Sequence, residues 1–267
     1  MLYDSFNRRI NYLRVSVTDR CNLRCTYCMP EEGVPFISHD DVLSFEEITE
    51  TVRAAVSMGV NKVRLTGGEP LVRRGIVELV SMISEIDGIE DFAMTSNGIL
   101  LSRYAGELKK AGLHRVNISL DTLDPEKYKE ITRTGELSDV LDGIYAARDA
   151  GLFPIKLNAV IPADGDTAEA KRVSDFGGSH GFQVRFIRQM DLRSGEFHVV
   201  EGGEGGNCTR CNRLRLSSSG IIYPCLFSDT GYDIRVMGIQ EALTKAVEEK
   251  PAQGVVSRNN TFYGIGG

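Results

Sequence analysis

The 267-residue chain contains no tryptophan, only 4 histidines and only 8 prolines. No stretch approaches the roughly 18 consecutive apolar residues of a membrane-spanning helix. Met1 to Arg9 mixes polar, charged and aromatic residues and lacks the apolar run of about 7–15 residues that marks a secretory signal. Positive charge is not in excess either: 31 Lys and Arg stand against 37 Asp and Glu, a formal net charge of −6. No global field therefore draws the chain to nucleic acid or an anionic membrane, although a local basic pocket for a small anion stays open. No cysteine is left over, because all six fall into two groups of three. With no signal segment the expected compartment is the reducing cytoplasm, where clustered thiols bind metal more often than they pair. What remains, 42% hydrophobic and 25% charged residues with 28 Gly, is ordinary globular composition and excludes collagenous, disordered and coiled-coil chains. A chain this long buries roughly 70–75% of its unfolded surface, so a bound metal would serve chemistry rather than complete the core.

From Tyr12 to Phe186, short apolar-rich runs alternate with helical patterns, the signature of a parallel α/β sheet built from six units. The predicted strands are Tyr12–Val17, Lys62–Thr66, Phe92–Thr95, Arg115–Leu120, Ile155–Val160 and Val184–Ile187. Helical spacing is read over Phe45–Met58 (Ile48, Val52, Ala55, Val56), Gly75–Ile86, Tyr104–Ala111 and Leu137–Asp149. Gly59, Gly112 and Gly151 each close a helix before a strand. Such units suit a barrel or a doubly wound sheet. After Met190 the rhythm breaks. Residues 191–207, with the run Gly202-Gly203-Glu204-Gly205-Gly206, read as a mobile connection or hairpin-bearing loop and as the domain boundary. Beyond it lie a cysteine-bearing segment and a helix near Ile239–Glu249 ended by Pro251.

A parallel strand covered on both faces should be nearly all apolar, and these strands are not. Arg14 and Ser16 interleave with Leu13, Val15 and Val17. Lys62, Arg64 and Thr66 alternate with Val63 and Leu65, and Thr95 and Asn97 fall opposite Phe92 and Met94. The pattern recurs with Asn117 and Ser119, then with Lys156 and Asn158. A solvent-facing antiparallel sheet would also alternate, but helix-length connections place helices on one face and leave the polar face to line a wide cavity.

The cysteine triads are Cys21, Cys25 and Cys28, just past the first strand, and Cys208, Cys211 and Cys225. Three thiolates are one short of a closed tetrahedral zinc site and one short of a fully ligated four-iron cluster, so either group would keep an open position. His39 is the nearest candidate for a fourth zinc ligand, but it lies eleven residues past Cys28, amid Asp40 and Asp41.

C-x3-C-x2-C with Tyr27 before its last cysteine resembles the radical S-adenosylmethionine (SAM) superfamily, and Gly67-Gly68-Glu69-Pro70 resembles the segment that receives the methionine amino group there. C-x2-C-x13-C followed by Arg213 and Arg215 narrows the resemblance, together with R-x-S-V-T-D-R-C at 14–21, R-x-T-G-G-E-P at 64–70, T-S-N-G at 95–98 and a Gly-Gly end. Over Leu13–Met190 and Asn207–Gly267 the chain is similar to the GTP 3′,8-cyclase family of molybdenum cofactor biosynthesis. The resemblance implies a partial TIM-type (βα)6 barrel over 1–190 and a C-terminal region over 191–267 carrying an auxiliary iron–sulfur cluster. It implies two [4Fe–4S] clusters, one on each triad, and SAM held by Tyr27, Gly68, Ser119 and Met190. It implies GTP held by Arg14, Arg64, Thr95, Lys156, Arg213, Leu214 and Arg215, with Gly266 and Gly267 entering the site. An external electron donor and a homodimer are further expectations; nucleic acid and membrane are not expected partners. GTP carries about four negative charges, and arginine's planar fork pairs phosphate oxygens bidentately, which suits the inward set Arg14, Lys62, Arg64, Lys156, Arg185, Arg213 and Arg215. Two features depart from the family pattern: the stretch from Met190 to Cys208 is short, and Arg188 stands where an acidic residue is usual. The alternatives are another radical SAM enzyme with one auxiliary cluster, such as a peptide maturase, and a non-enzymatic zinc-binding protein.

Overall fold

Strands of alternating character, joined through helices, form one mixed sheet in a computed structural model that describes residues 1–35, 37–161, 167–191, 195, 198–258 and 262–265. A small antiparallel ribbon of β1 (Leu2–Tyr3) and β2 (Arg9–Ile10) comes first. The six expected strands are β3 (Tyr12–Ser16), β4 (Lys62–Thr66), β5 (Asp91–Ser96), β6 (Arg115–Ser119), β7 (Lys156–Ile161) and β8 (Gln183–Arg188), parallel and adjacent in chain order. Their ends differ from the predicted ones by at most a residue, within the ordinary uncertainty of a strand boundary.

The sequence reading places no strand in the C-terminal region, and there the structure adds three. β9 (Arg213–Leu216) pairs parallel to β3, and β10 (Ile221–Tyr223) and β11 (Tyr232–Asp233) extend that edge antiparallel. Strands of two to four residues carry too few positions for a period to show.

The helices between strands are α1 (Phe45–Ser57), α2 (Ile76–Ser84), α3 (Leu101–Lys110), α4 (Pro125–Thr132), α5 (Leu137–Asp149) and α6 (Thr167–His180). Helices α7 (Ile234–Met237), α8 (Ile239–Glu248) and α9 (Phe262–Ile265) follow the last strand. Local chemistry sets several starts. Ser44 and Glu47 cap α1 reciprocally, with Glu47 N donating to Ser44 Oγ at 3.1 Å and Ser44 N to Glu47 Oε2 at 2.7 Å. Asp124 caps α4 ahead of Pro125, whose missing N–H is harmless in a first turn.

The alternation sorts the sheet as expected. Leu13, Val15, Val63, Leu65, Phe92, Met94, Val116, Ile118, Leu157, Leu214 and Leu216 are almost fully buried in one core with Ile48, Val52, Leu79, Ile83, Leu108, Val140, Ile144 and Leu243 of the helices. Burying each such side chain contributes about 1.5–3 kcal/mol, so a one-residue slip of any strand would be heavily penalised. The polar residues between them face the other way and line two adjoining cavities. Among the described residues no helix is long and apolar enough to cross a membrane.

Candidate active site

The first cavity, of about 220 Å³, lies at the C-terminal ends of β4 to β8. The loop after β3 brings Cys21, Cys25 and Cys28 to its wall. That loop is tied down from outside: Thr132 and Ile131 carbonyls accept from Arg24 N and Thr26 N, and Arg133 Nη1 donates to the carbonyls of Arg24 (2.8 Å) and Met29 (3.1 Å). Inside it, Cys21 Sγ accepts from Leu23 N at 3.4 Å and from Asn97 Nδ2 at 3.8 Å. The thiols are half-buried and close enough to feel one another. Burial first, then Asp121 and the other two thiols, pushes Cys25 up to about 12; burial and Cys21 do the same to Cys28. Thiols so disposed become thiolates only against a cation, as metal binding supplies. Among the described residues, no three His, Cys, Asp or Glu side chains converge closely enough for a single ion.

Two sequence motifs meet at this cavity through Glu69, which is 1% exposed. Its Oε1 accepts from Leu71 N (3.0 Å) and Ser96 Oγ (2.9 Å), and its Oε2 from Asn97 N (2.7 Å). Burial raises it to about 7, against those three bonds. The turn carrying Gly67 and Gly68 runs beside Thr18 to Arg20, with Gly68 N donating to the Thr18 carbonyl and Glu69 N to that of Arg20. Gly67 has φ +149°, and a Cβ on Gly68 would stand 2.3 Å from the Arg20 carbonyl oxygen. Only glycine permits that approach. Gly68→Ala should therefore push back the backbone leading into Cys21, costing about 1–3 kcal/mol. The expected outcome is a lower unfolding midpoint and reduced iron retention; unchanged values of both would show that the contact relaxes freely.

Tyr27 Oη donates to Asp121 Oδ2 at 2.8 Å, and Val160 N donates to Asp121 Oδ1 at 2.8 Å. Burial lifts Asp121 to about 6 and Tyr27 well above the usual tyrosine range. Asp121 thus locks the cysteine loop to β7, a role the sequence did not reveal because Tyr27, Asp121 and Val160 are far apart along the chain.

The second cavity, about 630 Å³, lies along the polar face and reaches the N-terminal half of the sheet. The register stacks its lining: Tyr12 lies opposite Lys62 and Arg213, and Arg14 opposite Arg64 and Arg215, with Lys156 beside Asn117. Arg14, Arg64 and Arg215 are each under a tenth exposed. Burial and the neighbouring guanidiniums hold Arg14 well below its ordinary value and bring Arg215 to about 10; burial with Arg115 and Arg185 brings Lys156 to about 8. One carboxylate on this face, Asp91, is taken by Arg115 at 2.6 Å. The Nε atoms of Arg64, Arg185 and Arg213 and Asn158 Oδ1 are buried without a hydrogen-bond partner among the described residues. Leaving buried polar atoms unpaired carries a real cost, and the three Nε donors line a space that an anion would fill.

Cys208, Cys211 and Cys225 line this second cavity. Arg8 Nη1 donates to the Cys208 carbonyl at 2.7 Å and, with Nη2, to those of Ala252 and Pro251, tying the triad's start to the C-terminal segment. Lys250, 3% exposed, donates to the carbonyls of Arg213 and Pro224, and its ammonium also acts on the Cys211 thiol.

The structure brings Tyr27, Gly68, Ser119 and Met190 together with the first triad, and Arg14, Arg64, Thr95, Lys156, Arg213 and Arg215 together with the second. The cavities adjoin at Thr95, Asn158, Ile187 and Met190, which line both. Leu214 needs correcting: it has the opposite parity on β9, is 0% exposed in the apolar core and lines neither cavity, so its side chain reaches no ligand there. Arg188 lines the first cavity. Gly266 and Gly267 lie outside the described residues; Ile265 before them packs on Leu226 and Phe227, with Met190, Tyr223 and Cys225 against the same cluster. Sequence reasoning missed Tyr12, Asp91 and Arg115, whose inward parity was legible, and Asp121 and Lys250, which show no local signal; it noted Glu69 only within the Gly67–Pro70 motif, without the bonds that bury it.

Residues 15–170 match the family model of the radical SAM superfamily. The GTP 3′,8-cyclase of Alkaliphilus oremlandii is 43% identical over 296 aligned positions, covering 93% of this chain and 92% of that one. The GTP 3′,8-cyclase of Peptoclostridium acidaminophilum is 40% identical over 321, covering 100% and 98%. Both alignments are longer than the chain's 267 residues, so both relatives carry segments that it lacks. Among solved structures, Streptococcus suis SuiB bound to its precursor peptide superposes with a TM-score of 0.69 at 15% identity, covering 92% and 66%. The enzyme anSMEcpe with bound AdoMet superposes with 0.64 at 16% identity, covering 90% and 81%. At such identities these two show a shared fold.

Proposed function

Because the chain belongs to the radical SAM superfamily and, within it, to the GTP 3′,8-cyclase family, we propose that its two adjoining cavities hold SAM and GTP head to head across Met190 and Thr95. The observation that carries this reading is that a thiol-walled cavity and a cationic one open into each other. In this reading the chain converts GTP to (8S)-3′,8-cyclo-7,8-dihydroguanosine 5′-triphosphate for molybdenum cofactor biosynthesis. Superfamily membership implies a four-iron cluster and SAM, which together supply a 5′-deoxyadenosyl radical able to take hydrogen from ribose C3′.

The chain's own residues bind and orient. Cys21, Cys25 and Cys28 would hold the first cluster, three protein ligands that would leave one position open to SAM. Gly68, Ser119, Tyr27 and Met190 frame SAM, and Asp121 fixes Tyr27. Arg14, Arg64, Lys156, Arg213 and Arg215 neutralise the triphosphate, and Thr95 stands at the junction where C3′ must lie. Cys208, Cys211 and Cys225 hold a second four-iron cluster against which guanine is presented, and Leu214 contributes backbone alone. Holding the reacting carbon in near contact is the main contribution a protein makes to such a transfer. We assign this work to a partial barrel over 1–190 together with the region 191–267. An external donor supplies the electron, the compartment is cytoplasmic, and a homodimer is the assembly to test first.

Anaerobic incubation of reconstituted protein with reductant, SAM and GTP is expected to yield the cyclic nucleotide by mass spectrometry. Formation of 5′-deoxyadenosine stimulated by a peptide and not by GTP would overturn the substrate. Iron analysis should give about eight irons per chain, four for each triad; stoichiometric zinc with negligible iron and sulfide would overturn the enzyme reading.

A further inference from the structure

The cationic cavity contains a tyrosine whose chemistry the GTP assignment leaves unused. Tyr12 opens β3 and is 8% exposed, and its hydroxyl is buried without a hydrogen-bond partner among the described residues. Arg64 Cζ stands 5.2 Å from the centre of its ring and Arg213 Cζ 5.6 Å, so one aromatic ring lies between two guanidiniums from β4 and β9. Their Nε atoms are buried and unpaired as well. Burial acts to raise the Tyr12 hydroxyl, but Arg64, Arg14, Arg213 and Arg115 outweigh it and leave it below the usual tyrosine value. A more acidic phenol is a stronger hydrogen-bond donor. Asp91, which lines the same cavity, accepts from Arg115 Nε and Nη2 at 2.8 and 2.6 Å and makes no hydrogen bond to the Tyr12 hydroxyl. Three donors from three strands therefore converge where an acceptor is missing. The acceptor must offer several oxygens and negative charge together, which describes a phosphate group better than a base edge or a ribose hydroxyl.

Resting on the reading of this cavity as the GTP site, we propose that Tyr12 is a specificity-determining residue whose hydroxyl donates to a phosphate oxygen of the nucleotide while its ring sets the planes of Arg64 and Arg213 for the same phosphate. No proton is transferred; the phenol keeps its hydrogen throughout. The ring holds the two guanidiniums through cation–π contact before the ligand arrives, so less side-chain freedom is lost on binding. The unpaired hydroxyl makes the ligand-free state worse and the bound state better, which is how a buried polar group rejects ligands that lack its partner.

The test uses iron-loaded protein and two probes, GTP and inorganic tripolyphosphate, with affinities measured by anaerobic calorimetry for the wild type, Tyr12→Phe and Tyr12→Leu. Tyr12→Phe keeps the ring and is expected to weaken both probes about tenfold, as loss of one hydrogen bond to a charged acceptor should. Its ligand-free unfolding midpoint should stay level or rise, because an unsatisfied buried hydroxyl has gone. Tyr12→Leu should weaken both probes further by freeing the two guanidiniums. Wild-type affinity for both probes in Tyr12→Phe would overturn the assignment. So would loss for GTP alone, which would place the hydroxyl against guanine or ribose, and so would a fall in midpoint with unchanged binding, which would make Tyr12 structural. Wild-type protein that binds tripolyphosphate but not GTP would overturn the substrate reading, while the tripolyphosphate arm still decides the role of Tyr12.

Discussion

Replacing Cys25 by alanine is expected to abolish reductive cleavage of SAM altogether, whereas replacing Cys211 should spare part of that cleavage and eliminate the cyclised product. The two cysteines line different cavities: Cys25 borders only the first, with Gly68 and Ser119, and Cys211 only the second, among the arginines. With two cysteines left in the first triad, a four-iron cluster lacks half of the four thiolates that ordinarily hold it. Loss of cleavage should therefore be complete. The second triad touches the first cavity only through the shared Thr95, Asn158, Ile187 and Met190. Its disruption should misplace GTP without removing the SAM site. The measurement is 5′-deoxyadenosine and cyclic nucleotide quantified side by side, with iron content and an unfolding midpoint for each variant. Equal and complete loss of both products in a still-folded Cys211 variant would show that the triads do not divide the work.

Arg213→Ala and Arg215→Ala should each weaken GTP binding ten- to hundredfold and lower turnover with it, while the iron content holds. Both residues lie within four positions of Cys211, and β9 pairs with β3, so they stand against Tyr12 and Arg14 at the heart of the cationic face. Each would form a charge-assisted contact to phosphate worth about 1.5–3 kcal/mol. The ligand-free fold should lose little. Arg14 and Arg215 repel each other in burial, so removing Arg215 lifts one buried like-charge contact while giving up its bond to the Ile265 carbonyl. Calorimetry with GTP beside iron analysis separates the outcomes. Wild-type affinity in both variants would sink their assignment to GTP, and lost iron would make them supports of the second triad.

What was legible in the sequence alone is what depends on neighbours along the chain. The polar parity of Arg14, Lys62, Arg64, Asn117 and Lys156 told that one face of the sheet was kept from the helices, because successive strand residues must point to opposite faces. The cysteine spacings and the Gly67-Gly68 turn are local in the same sense. The tertiary structure alone decided which local pieces became neighbours. It set β9 beside β3, across 200 residues of chain, which turns Arg213 and Arg215 toward Arg14 and Tyr12 and sends Leu214 into the core. It likewise brought Glu69 to Ser96 and Asn97, Tyr27 to Asp121, and Lys250 to the carbonyl of Arg213. These partners leave no periodic trace, because a hydrogen bond between distant residues constrains two positions and nothing between them. Periodicity reports which face a residue occupies; only the closing of the sheet, driven by burial of its apolar face, determines what that residue meets there.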